Sequence, residues 1–83
     1  MSTNYVNRPI SNTPLVFLLQ KGSRGYDVER LQKKLKELKY YNGPIDGIYS
    51  GSVVEAVEKF QKKAGIKPDG IAGPKTLKMI GLY

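Results

Sequence analysis

Asp46-Gly47-Ile48-Tyr49-Ser50-Gly51 and Asp69-Gly70-Ile71-Ala72-Gly73-Pro74 decide the reading of this chain, because each Asp-Gly-Ile triplet stands just ahead of a stretch with helical spacing. Aligned on the triplets, Ser50 falls on Gly73, Gly51 on Pro74, Val53 on Thr76 and Val57 on Ile80. Turn, helix entry and apolar stripe keep step, so the chain carries an internal repeat. In each copy the Gly is placed to take backbone angles that other residues resist, while the Asp oxygens can accept neighbouring N–H groups. A second echo pairs Val28, Leu31 and Gln32 with Val57, Phe60 and Gln61, an apolar residue followed by Gln at the same offset.

Helices follow from the turns. Pro74 suits the first helical position, where its fixed φ is an asset, so Gly73 becomes the N-cap and the alignment makes Ser50 the N-cap of the preceding helix. Val53, Ala56, Val57, Phe60 and Ala64 then line one face, with Gly65 closing it. Upstream, Gly22-Ser23-Arg24-Gly25 breaks the chain, and Asp27 sits where a carboxylate caps or favours a helix start. Val28, Leu31, Leu35 and Leu38 form the stripe of a helix ending near Lys39, with Tyr40-Tyr41-Asn42-Gly43-Pro44 expected to stop it. A shorter helix from Pro74 to about Ile80 offers Leu77 and Ile80. The expected fold is all-α, a small three-helix bundle with an internal two-fold repeat and Asp-Gly turns. Residues 1–17 read as an N-terminal tail or linker and 18–83 as the domain, with the run Leu15 to Leu19 expected to pack on it in extended form.

Composition removes most catalytic readings. Among 83 residues there is no Cys and no His, which excludes disulfides, the ordinary zinc ligand sets and any nucleophile activated by imidazole. Neither a metal nor a cofactor is expected. Lys and Arg outnumber Asp and Glu by 14 to 7, for a net charge of +7, and a basic field favours an anionic partner without choosing one. Lysine on helix surfaces also serves solubility alone. The five-residue run Leu15 to Leu19 is far short of the roughly twenty a membrane span needs, and too short for the apolar core of a signal peptide. Placement outside a cell is therefore expected to depend on another route or on another protein.

The succession Gly22-Ser23-Arg24-Gly25-Tyr26-Asp27-Val28, Leu31-Gln32, Tyr40-Tyr41, Pro44-Ile45-Asp46-Gly47, Ala56-Val57, Phe60-Gln61, Gly65-Ile66 and Asp69 to Thr76 resembles the three-helix peptidoglycan-binding domain family over about residues 18 to 82. The resemblance implies a noncatalytic module that holds an attached or associated protein, such as a wall hydrolase or a phage virion component, at the murein. It implies a cell-wall, extracellular or periplasmic setting, or a virion. Two positions depart from the family's usual pattern: Ser50 stands where Gly is usual, and Val53 where Thr is usual. The Ser50 hydroxyl is expected to accept a helix-start amide in compensation.

The family's groove lies near the first Asp-Gly turn, which makes Tyr41, Asn42, Asp46, Tyr49 and Ser50 the implied ligand contacts. Chemistry adds Tyr26, whose ring offers an apolar face to a sugar, and Arg24, whose planar fork suits a carboxylate. Gln32 and Gln61 can bind sugar hydroxyls, but are better matched to satisfying backbone groups of the turns. Asp46 and Asp69, as equivalent turn residues, do not form the acid pair of a glycosidase. The rival functions are a small basic nucleic-acid-binding domain and a protein interaction module on the same scaffold. Against the first, lysines are scattered around the helices and the Asp-Gly repeat has no role there.

Overall fold

The computed structural model describes residues 18–82. Three helices make up its regular structure: α1 (Tyr26–Glu37), α2 (Gly51–Ala64) and α3 (Pro74–Met79). No strand runs among the described residues, so the fold is all-α, and its extended pairings are two isolated antiparallel bridges, Leu19 with Ala72 and Arg24 with Ile48.

Those bridges explain how a short chain holds two turns in register. Leu19 and Ala72 exchange backbone bonds of 2.9 and 2.8 Å. Gly25 N donates to Gly47 O at 2.9 Å, Tyr49 N to Ser23 O at 3.0 Å and Gly22 N to Tyr49 O at 3.0 Å. The segment before α1 is thus stitched to the residues after both Asp-Gly turns, and buried Leu19 joins the core there. Of the apolar run Leu15 to Leu19, only Leu18 and Leu19 lie within the described residues.

One cluster fills the centre. Val28, Leu31 and Leu35 from α1 meet Val53, Ala56 and Val57 from α2, Leu77 from α3 and Ile80 just after it, with Tyr41, Tyr49 and Ala72 from the connections. Burying a side chain of this size stabilises by roughly 1.5–3 kcal/mol relative to exposure. Tyr40 packs edge-on against Phe60, ring centres 6.2 Å apart, tying the exit of α1 to the flank of α2.

Each helix ends the same way, which the sequence signalled only in part. After α1, Lys39 takes a left-handed φ of 69°, Lys39 N donates to Lys36 O and Tyr40 N to Leu35 O. Gly65 and Gly81 do likewise after α2 and α3, with Ile66 N reaching Gln61 O and Leu82 N reaching Leu77 O. These are Schellman ends, in which a left-handed residue lets two N–H groups satisfy leftover carbonyls. The stop of α1 is therefore Lys39 rather than Gly43-Pro44, and Leu38, outside the helix, is exposed instead of completing the stripe.

Candidate functional site

Two buried amides organise the turns. The Gln32 Nε2 donates to Asp46 Oδ1 at 2.9 Å, Ile48 O at 3.1 Å and Tyr41 Oη at 3.3 Å, while its Oε1 accepts from Gly47 N at 2.9 Å. Gln61 makes the matching set: Asp69 Oδ1 at 3.0 Å, Ile71 O at 2.9 Å, Thr76 Oγ1 at 3.0 Å, and Gly70 N at 2.9 Å. The two differ where the sequence does. Val53 has no hydroxyl to stand where Thr76 does, and at the first turn Gln32 reaches the Tyr41 hydroxyl instead. Being buried and committed to the turns, neither Gln is free for a sugar.

The carboxylates are equally committed. Asp46 Oδ1 also accepts from Ile48 N, and Asp69 Oδ1 from Ile71 N, each at 3.0 Å. The Gln32 amide, then the Ile48 N–H, hold the Asp46 carboxyl below the usual carboxylate range; the Ile71 N–H, then Gln61, do the same for Asp69. A general acid needs its pKa raised, so both residues are shifted away from proton donation at neutral pH.

The predicted contact residues divide. Tyr41 is 3% exposed, with its hydroxyl donating to Pro44 O at 2.7 Å, and Tyr49 is 1% exposed, with its hydroxyl donating to Gly70 O at 2.7 Å. Burial raises the pKa of both phenols. Their rings belong to the core: Tyr49 presents no face to a ligand, which corrects the expectation of a ring contact there, and Tyr41 meets the surface only where it lines a small groove. Ser50 is the N-cap of α2 by backbone geometry, but its side chain caps no amide and pairs at 3.0 Å with the Ser52 hydroxyl instead. Backbone bonds from Val53 N and Val54 N to Ser50 O supply the helix start. Asp27 likewise lies inside the first turn of α1, 3.6 Å from Arg30, while Gly25 is the N-cap.

Arg24, Tyr26, Asn42 and Asp46 remain exposed. The Arg24 backbone pairs with Ile48, two residues from Asp46, and Tyr26, 69% exposed, follows the Gly25 to Gly47 bond. Asn42 and Tyr41 line a polar groove of about 190 Å³ with Ser52, Glu55 and Lys59.

A larger opening lies at the second turn, with Gln61 and Asp69, which the sequence assigns to the turn itself, in its lining. It has a volume of about 600 Å³ and an apolar lining of Leu18, Ile66, Ile71 and Pro74, with Lys67, Asp69 and Lys75 also lining it. A signal was present: apolar and lysine residues alternate on both sides of the second triplet, at Ile66-Lys67 and Pro74-Lys75. Among the described residues no group of three or more acidic, His or Cys side chains is placed to hold a metal, and no helix is long and apolar enough to cross a membrane.

Residues 24–80 match the family described as "Putative peptidoglycan binding domain". A spore cortex-lytic enzyme of Bacillus cereus is 40% identical over 63 residues, covering 76% of this chain and 24% of that enzyme. The crystal structure of the SleB N-terminal domain has a TM-score of 0.75 at 40% identity, covering 76% of this chain and 86% of that one. The endolysin of Burkholderia phage AP3 has a TM-score of 0.73 at 41% identity, covering 77% of this chain and 24% of the endolysin. The chain spans a quarter or less of the length of the curated relatives it matches, from 25% down to 14%.

Proposed function

The chain belongs to the peptidoglycan-binding domain family, and we propose that it acts by binding murein without cleaving it, holding an associated protein at the wall. The family match over residues 24–80 carries this reading. The relatives by sequence are wall-lytic enzymes of which this region is a small part, which supports a catalytic partner as the cargo. Lack of catalytic function is argued from chemistry: the chain has no His or Cys, and both turn carboxylates are held ionised. Delivery to the murein raises the local concentration of a partner, an effect that works even when the module binds weakly. The proposed contact surface consists of the exposed predicted residues Arg24, Tyr26, Asn42 and Asp46 with half-buried Ser50, and extends to the groove at the second turn.

Sedimentation with purified sacculi freed of teichoic acid, beside duplex DNA over a salt series, tests the reading. Retention on sacculi at moderate salt is expected, because contacts beyond charge decline less with screening. Salt-resistant DNA binding without sacculus retention would overturn it in favour of a nucleic-acid partner.

A further inference from the structure

Building on the murein-binding reading, we propose that the groove at the second Asp-Gly turn holds the peptide stem of murein rather than its glycan strand, with Lys67 and Lys75 meeting free carboxylates on the stem. Three observations converge on a peptide occupant. First, sugars are commonly gripped by the apolar face of an aromatic ring, yet Tyr41 and Tyr49 are buried and, among the described residues, no aromatic side chain lines this groove. Second, its lining of Leu18, Ile66, Ile71 and Pro74 suits small aliphatic side chains such as the methyl groups of alanine, and about 600 Å³ lies within the range of pockets that enclose small ligands. Third, charge is complementary. Lys67 and Lys75 are exposed, and among the described residues neither is held in an ion pair. Among the described residues the one lining carboxylate is Asp69, whose Oδ1 is occupied by Gln61 and Ile71 and whose charge Lys67 partly offsets from a distance beyond ion-pair contact.

A stem peptide combines these needs, since it carries carboxylates along a short backbone with methyl side chains between them. Lysine is apt for such a target. A mobile ammonium follows a carboxylate whose position varies, where a planar guanidinium demands one orientation. The groove is also held firmly from beneath, because Gln61 fixes the backbone of residues 69–71 and Thr76 together.

The test uses the full chain, with a soluble murein tetrapeptide and a peptide-free glycan oligomer as probes, followed by amide chemical shifts. The tetrapeptide is expected to move the amides of Ile66, Lys67, Ile71 and Lys75, and Lys67→Gln/Lys75→Gln to weaken its binding by about tenfold or more, since even one of the two lost charge-assisted contacts is worth that much. Lys33→Gln/Lys36→Gln on the exposed part of α1 removes the same charge and is expected to leave affinity within about twofold. Equal losses from both double variants would reduce the effect to net charge and overturn the proposal. So would shifts induced by the glycan oligomer alone. Whole sacculi and sacculi stripped of stems by an amidase separate the two levels. Equal retention on both defeats the peptide assignment while leaving murein binding intact, whereas retention on neither defeats murein binding itself.

Discussion

Replacing Gln61 by Leu should unfold much of this domain's margin of stability, although the substitution nearly conserves volume and opens no large cavity. Gln61 is 1% exposed and makes four contacts of 2.9–3.0 Å. Leucine leaves the buried Gly70 N–H without its acceptor and the Ile71 carbonyl without its donor, while Asp69 keeps the Ile71 N–H. Each orphan costs about 1–3 kcal/mol, so the two together should cost about 2–6 kcal/mol. A domain of this size has a total stability on the order of 5 kcal/mol. Urea unfolding followed by helical circular dichroism measures the change as a shift in midpoint at constant slope. Gln61→Glu sharpens the test. Its carboxylate would face Asp69 Oδ1, Ile71 O and Thr76 Oγ1 with no proton to offer at neutral pH, and one proton restores a donor on acidification. Its deficit relative to wild type should therefore shrink between pH 7 and pH about 5. A Gln61→Leu midpoint equivalent to less than about 0.5 kcal/mol would refute the clamp as the organiser of the second turn.

Other substitutions probe the remaining parts of the design. Gly47→Ala and Gly70→Ala should each cost about 2 kcal/mol in thermal melts: φ is +73° and +74°, and a new Cβ would meet Gly25 O at 3.1 Å or Val54 Cγ1 at 2.8 Å. Lys39→Gly should stabilise by about 0.5–1 kcal/mol, since the left-handed end of α1 is made there by a residue with a side chain; an unchanged or lower melting temperature would contradict this. Both turn carboxylates have folded pKa values below the unfolded one, so their contribution is fully present above pH about 4 and lost as pH falls through the lower folded values. Asp46→Asn/Asp69→Asn, which keeps an accepting oxygen, should flatten the acid limb of the stability profile. Tyr49→Ala should cost about 3–5 kcal/mol through the core, which disqualifies it as a probe of ligand binding.

Much of the fold was legible because its signals are local. The α2 boundaries, Gly51 to Ala64 with Gly65 in the left-handed conformation, follow from one N-cap position, one apolar stripe and one glycine. Pro74 marked the start of α3 for the same reason. The end of α1 near Lys39 was legible but its cause was not, because Lys39 itself takes the left-handed conformation usually left to glycine, with Lys39 N and Tyr40 N bonded back to Lys36 and Leu35. The missing side-chain cap at Ser50 was also beyond local reasoning, since Ser52 competes for the hydroxyl.

The contact surface was harder to read, and tyrosine shows why. A phenol beside a turn has the same local sequence signature whether it faces solvent or reaches inward to a carbonyl. The destination depends on what lies across the fold: Tyr49 ends on Gly70, which is 21 positions away, and Tyr41 turns back to Pro44 beneath the Gln32 amide. From sequence alone came the three helices, the family and the assignment of Gln32 and Gln61 to backbone groups, since each is written in spacings of a few residues. Only the tertiary packing decided which rings were consumed by the core and that an opening of about 600 Å³ lies at the second turn, because burial is set by neighbours distant along the chain.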